Sequence, residues 1–256
     1  MTDGRMTIQG RRLEYHWIEP AKTAAPTLIF LHEGLGSVGM WKDFPARLAA
    51  TTGCGTLIYS RIGHGKSDRL PAPHQVDYMH VQALEVLPEI RAHLGLGEPV
   101  LVGHSDGGSI ALIHAGAARW PVKGLILEAP HVFVEDVSVA SIAQAKAAYR
   151  NTDLPQKLGR YHEDPDGAFW GWNDIWLHPE FRNWNIEGFL PAIRCPMLAI
   201  QGFDDEYGTM AQLEAIERQV SGPVELVKLA DCGHSPHRDQ PEATLQAMLR
   251  FIGRLS

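Results

Sequence analysis

The chain of 256 residues is poor in cysteine, in long apolar runs and in excess positive charge. Its three cysteines, Cys54, Cys195 and Cys232, are odd in number and widely spaced, with no Cys-x-x-Cys pair. That excludes a disulfide framework and leaves buried free thiols as the expectation. No apolar run approaches the ~20 residues that span a bilayer. The first residues, Met1-Thr2-Asp3-Gly4-Arg5, are polar and carry no apolar signal segment, so a cytoplasmic location is expected. Lys and Arg number 23 against 30 Asp and Glu, a formal net charge of -7, which argues against nucleic acid or an anionic membrane as partner. Thirteen histidines are present, yet no His-x-x-x-His falls on a convincing helix, so neither metal nor cofactor is expected. Repeats and low-complexity runs are absent too, and the length suits one domain with a substantial core.

Short apolar runs alternate with amphipathic stretches, the pattern of an α/β fold. Met6 to Gln9 and Leu13 to Ile18 read as a hairpin turning near Gly10. Pro26 to Leu31, Thr56 to Tyr59, Pro99 to Val102, Gly124 to Glu128, Met197 to Ile200 and Val224 to Leu229 read as strands, the apolar ones buried on both faces. Helices are predicted over Trp41–Ala50, Asp77–Leu94 with a kink or break at Pro88, Thr209–Gln219 and Pro241–Ile252. Between His131 and Leu190 no clear strand occurs. This segment holds Trp170, Trp172, Trp176 and Trp184 and an amphipathic stretch from Ser138 to Tyr149. It is predicted as a helical insertion, residues 131–190, in a core made of residues 1–130 and 191–256. Its tryptophans read either as the insertion's own core or as walls of a substrate pocket.

Chemistry concentrates at Gly103-His104-Ser105-Asp106-Gly107, which follows an apolar strand and opens a helix. Glycines two residues to either side allow so tight a turn that the serine is strained and lifted above the sheet edge. The helix N-terminus behind it favours a developing oxyanion. A serine hydroxyl needs a general base, and the base an orienting acid. His234, on the loop after the last strand, is the expected base. Asp205 is the preferred acid, Asp204 the alternative, and Glu128, at the end of an earlier strand, a third possibility. The order serine, acid, histidine is that of one known hydrolase arrangement. The oxyanion hole is expected from the backbone N–H groups of Asp106 and Gly34, with Glu33 and Leu35 flanking the latter. Glu33, Leu35, His131, Phe133, Trp170 and Trp176 are the candidate substrate contacts.

Together these motifs resemble the α/β-hydrolase superfamily over nearly the whole chain. The resemblance rests on the serine turn, on His32-Glu33-Gly34-Leu35-Gly36, on Ser60-Arg61-Ile62-Gly63-His64-Gly65-Lys66-Ser67-Asp68, on Gly202-Phe203-Asp204-Asp205 and on Gly233-His234-Ser235-Pro236. It implies a mostly parallel eight-stranded sheet, flanking helices, a helical cap after strand six and cofactor-free acyl transfer. Two residues depart from the pattern. Glu33 stands where relatives have glycine, and is expected to turn away and pair with a neighbour; pointed inward it would select substrates bearing a donor or a positive group. Asp106 follows the serine directly, where its backbone can still donate. The expected function is hydrolysis of a carboxylic ester or related acyl bond, on a small-molecule acyl substrate, by a monomer or homodimer. The alternatives are a carbon–carbon bond hydrolase or lactonase with the same triad, and a ligand receptor with a vestigial one.

Overall fold

In the computed structural model, which describes residues 2–22 and 25–255, strands β1 (Thr2–Ile8) and β2 (Arg11–Ile18) form the expected hairpin. It turns at Gln9 and Gly10, both with positive φ. β2 then pairs antiparallel with β4 (Thr56–Tyr59). Every later pairing is parallel, through β3 (Leu28–Leu31), β5 (Val100–His104), β6 (Gly124–Glu128), β7 (Met197–Gly202) and β8 (Val224–Leu229). The eight strands run in the order β1-β2-β4-β3-β5-β6-β7-β8. The chain is thus an α/β-hydrolase fold, as its motifs imply.

Strand alternation divides the core in two. Ile29, Leu31 and Leu101 face one layer of helices, and Leu28, Phe30, Val100 and Val102 the other. The second layer is α1 (Phe44–Thr52) and α10 (Pro241–Gly253), the latter preceded by the short α9 (Pro236–Asp239). The first includes α4 (Asp106–Gly116), all of whose residues are buried, and α8 (Ala211–Gln219). A helix apolar all round belongs in the interior.

Two predicted helices differ in detail. The stretch from Trp41 begins as a 3-10 turn, Val38–Trp41, and is interrupted at Lys42, whose φ is 52°, before α1 starts with Pro45 in its first turn. The stretch around Pro88 does not break. It runs as α2 (Tyr78–Val81), a π-turn over Gln82–Val86, and α3 (Leu87–His93). Proline lacks the N–H for an ordinary helical turn. One extra residue in the turn before it lets the helix continue, with Leu87 N–H donating to the Gln82 carbonyl.

Between β6 and β7 lie α5 (Asp136–Asn151), α6 (Leu154–Leu158), α7 (Pro165–Trp176) and two 3-10 turns. Asp164 caps α7 by accepting from Gly167 N–H at 3.0 Å, and Pro165 fills its first position. Phe169, Trp172, Trp176, Phe181 and Trp184 are buried and continuous with the core on one sheet face, so this segment packs down onto the sheet. No helix among the described residues is long and apolar enough to cross a membrane.

Candidate active site

Ser105 stands between β5 and α4 with φ 52° and ψ -117°, a strained conformation for a residue with a side chain. Neighbouring backbone imposes it. A Cβ on Gly107 would lie 2.0 Å from the Leu31 carbonyl oxygen, and one on Gly103 2.4 Å from that of Gly107. Such strain costs about 1–3 kcal/mol and persists only where the fold over-determines it. Here the register of β5 between β3 and β6 does so, with Gly103 level with Leu31 and Leu127.

His234 arrives on the loop after β8. Its Nε2 lies 2.9 Å from Ser105 Oγ and its Nδ1 2.8 Å from Asp205 Oδ1. A carboxylate only accepts, so Nδ1 carries the proton, and Nε2 of the neutral ring accepts from the serine hydroxyl. Asp205 Oδ1 also accepts from Tyr207 N–H (2.8 Å) and Gly208 N–H (3.2 Å), and Oδ2 from Gln201 Nε2 (3.2 Å). Burial pushes this carboxyl up, but the bonds from His234 and Tyr207 outweigh it and hold it below the usual range. Asp204 is exposed and joins the neighbouring loop through its backbone, donating to the Cys232 carbonyl at 3.0 Å. Of the candidate acids, Asp205 faces His234. Glu128 accepts instead from His237, at 2.9 Å from its N–H and 2.8 Å from its Nδ1.

The loop after β3 lies against the same serine. Glu33 turns toward His104, with Oε2 3.4 Å from Nδ1. Burial works against its charge, but His104 and His237 more than offset this and bring its carboxyl down to about 2. Neither the Gly34 nor the Asp106 backbone N–H donates to a backbone acceptor among the described residues, and the first N–H groups of a helix have no partner within it. The Asp106 carboxylate is buried and points away from the cavity. It accepts from Tyr78 Oη at 2.6 Å and Trp176 Nε1 at 3.3 Å.

A cavity of about 300 Å³ opens over Ser105 and His234. Glu33, Gly34, Leu35, His131 and Trp176 line it, with Ile142, Leu154, Leu158 and Trp172 from the segment between β6 and β7. His131 is buried, its Nδ1 has no partner among the described residues, and burial pulls its pKa down to about 3, so the ring is neutral. Two of the expected contacts lie elsewhere. Phe133 bridges Asn185, and its carbonyl accepts from Gln212. Trp170 packs edge-on against Tyr149 and Phe169 under the cations of Lys146 and Arg150, and lines a separate cavity beside Leu70 and His74. Helical spacing explains the latter. Trp172 and Trp176 are four residues apart and share a face, whereas Trp170, two residues before Trp172, cannot. The same spacing could have identified Trp172, which stands so close to the loop that a Cβ on Gly34 would meet its ring at 2.1 Å. Met40, Tyr207, Glu206 and Arg238 also line the cavity and gave no signal in the sequence.

A family model described as "Alpha/beta hydrolase family" matches residues 28–247, and the chain belongs to that family. A proline iminopeptidase of Lactobacillus helveticus is 30% identical over 112 residues, 44% of this chain and 37% of that protein. A 2-succinyl-6-hydroxy-2,4-cyclohexadiene-1-carboxylate synthase of Yersinia pestis is 29% identical over 170 residues, 61% of this chain and 57% of that protein. Each match thus spans less than two thirds of the relative's length. Among solved structures, a proline iminopeptidase of Mycobacterium smegmatis superposes with a TM-score of 0.78 at 18% identity, over 99% of this chain and 98% of that one. That likeness is one of fold.

Proposed function

We propose that this alpha/beta hydrolase cleaves a carboxylic ester or related acyl bond of a small molecule through an acyl-enzyme on Ser105. The observation that carries this reading is the chain of two hydrogen bonds, Asp205 to His234 and His234 to Ser105, beneath a cavity. Ser105 Oγ attacks the carbonyl carbon as His234 Nε2 takes its proton. Asp205 fixes the tautomer and stabilises the imidazolium. The N–H groups of Gly34 and Asp106 receive the charge developing on the carbonyl oxygen. His234 returns the proton to the leaving oxygen, and the carbon–oxygen bond breaks. Water, deprotonated by His234, then attacks the acyl-enzyme, and the acid leaves as Ser105 regains its proton.

The cavity supports a substrate at the small end of the usual range for ligand sites. Ile142, Leu154, Leu158 and Trp172 suit an apolar group, and the carboxylate of Glu33 opposes an anionic one near the reacting carbonyl. Residues 131–190 act in this reading as a cap that closes the site from water.

Purified protein offered p-nitrophenyl acylates of graded chain length should turn over neutral acyl groups in preference to dicarboxylate half-esters. A fluorophosphonate should label Ser105 stoichiometrically. Ser105→Ala should lose about 10⁴-fold or more in kcat. Full activity in that variant, or an unreactive Ser105 with no turnover of any acyl substrate, overturns the proposal.

A further inference from the structure

We propose that Arg61 is a positioning residue of the oxyanion loop. Its guanidinium clamps the carbonyls of His32 and Glu33, so that the Gly34 N–H faces the reacting carbonyl, and its charge offsets the carboxylate of Glu33. The role rests on the acyl-transfer reading of Ser105.

Arg61 follows β4, whose neighbour in the sheet is β3. The two parallel strands end side by side, which brings residue 61 under residues 32–34. The side chain is 5% exposed. A buried guanidinium is costly unless its N–H groups are bound. Both terminal nitrogens are bound to backbone. Nη1 donates to the His32 carbonyl and Nη2 to the Glu33 carbonyl at 2.9 Å, while the Arg61 backbone N–H donates to His32 Nε2 at 3.0 Å. His32 Nδ1–H donates in turn to the Glu33 carbonyl at 2.7 Å, and so does Gly36 N–H at 3.0 Å. The nearest carboxylate oxygen, Asp106 Oδ2, is 3.8 Å away. This cation therefore serves the loop's carbonyls more than it serves an ion pair.

The consequence follows from peptide geometry. No cis peptide occurs among the described residues, and in a trans peptide C=O and N–H point in opposite directions. With the Glu33 carbonyl turned to Arg61, the Gly34 N–H is turned the other way, to the cavity wall that Gly34 shares with Ser105. Donation to the carbonyl also polarises the amide on its far side, which strengthens it as a donor. The charge matters because Glu33 places a fixed carboxylate on the loop that must hold an oxyanion. Like charges close together in a low-dielectric site raise the barrier, and a cation beneath the same peptide lowers it. Burial, with Arg61 adding to it, keeps His32 and His64 neutral, so the adjacent rings supply no competing cation.

The test compares wild type, Arg61→Met and Arg61→Lys in the full chain, using a p-nitrophenyl ester that the wild type hydrolyses. Inhibition is read with a trifluoromethyl ketone, which adds Ser105 and places an oxyanion in the hole, and with the corresponding alcohol, which does not. Arg61→Met should lower kcat about 10²-fold and weaken the ketone by a similar factor. KM and alcohol binding should stay within about 3-fold, and Arg61→Lys should recover part of the loss by keeping the charge. If Arg61→Met does not fold, Arg61→Lys is compared with and without Glu33→Gln. Its kcat loss should shrink in the Glu33→Gln background, because there is less charge to offset. A folded Arg61→Met with kcat within 3-fold of wild type overturns the role. So does equal weakening of ketone and alcohol, or strictly additive effects of Arg61→Lys and Glu33→Gln. Failure of the wild type to hydrolyse any acyl substrate refutes the acyl-transfer reading itself, whereas failure confined to the Arg61 variants refutes only this role.

Discussion

Two carboxylate–imidazole pairs stand at the same edge of the sheet, Asp205 with His234 and Glu128 with His237, each closed at 2.8 Å. Both histidines come from one short stretch, His234-Ser235-Pro236-His237, and both acids from the ends of neighbouring strands or the loop beyond. They differ in what the ring meets on its other side. His234 Nε2 meets Ser105 Oγ, whereas the ring of His237 packs against Trp41 and Phe44, at 4.7 and 5.6 Å between centroids. They differ in hydrogen bonding as well. Both Asp205 oxygens accept hydrogen bonds, while Glu128 Oε1 has no partner among the described residues, although both carboxylates are buried. An acid–imidazole pair is thus not in itself a catalytic device. In the acyl-transfer reading, the pair aimed at a hydroxyl is the general base and the pair aimed at an aromatic wall is a buried strut. His104 lies between the two, its ring 5.2 Å from each, and donates from Nε2 to the His234 carbonyl at 2.7 Å.

The largest expected effect separates the pairs by kind of loss. Asp205→Asn should lower kcat by about 10³–10⁴-fold, because the amide no longer fixes the Nδ1–H tautomer. Glu128→Gln should leave kcat within about 3-fold but cost about 3 kcal/mol in urea denaturation, the scale expected for breaking a buried ion pair. Equal kinetic losses in the two variants would break the comparison.

A smaller effect appears in the pH dependence of stability. His32, His64, His114 and His131 are buried and neutral. Burial lowers the last two to about 4 and about 3, and the first two well below their ordinary value. The unfolded chain protonates them below about pH 6.5 and the folded chain does not. Stability should therefore be full above pH 6.5 and fall on acidification, by at most about 1.4 kcal/mol per pH unit for each histidine, down to its folded pKa. His237 works the other way. Burial disfavours its charge, but Glu128 raises its pKa overall, so its contribution is fully present below about 6.5 and is lost as pH rises through the raised value. Denaturation midpoints from pH 8 to 4.5 should show this decline, and Glu128→Gln should steepen it by removing the opposing contribution. A flat profile in both would contradict the assignment of charge to His237 and neutrality to the other four.

The smallest effect is expected from Asp204→Asn, which removes an exposed charge beside Asp205. Activity should stay within about 2-fold and stability within about 0.5 kcal/mol. A loss comparable to that of Asp205→Asn would mean that the acid facing His234 is not the one that acts on it.

Much of this architecture is legible along the chain. The apolar runs that become β3 to β7 are buried on both faces, and their composition says so, whereas β8 at the sheet edge is only half-buried. The serine turn is legible because glycine at 103 and 107 answers a purely local need for space. The choice among Asp204, Asp205 and Glu128 is not, since all three occupy similar positions at strand ends. Only the approach of the loops after β7 and β8, joined by Asp204 N–H and the Cys232 carbonyl, brings Asp205 to His234. Helical periodicity distinguishes Trp172 and Trp176 from Trp170, but it does not say which face of α7 looks into the cavity.

The sequence by itself determined the strands, the strained serine and the loop histidine, because spacing, turn chemistry and apolar runs are properties of neighbours along the chain. Which of two acids meets which of two histidines, where Arg61 puts its donors and which tryptophans wall the cavity were decided by tertiary structure alone. The hydrogen bonds of the acids, the histidines and Arg61 join residues 28 to 129 positions apart, and the side chain's direction at each end depends on strand order and packing.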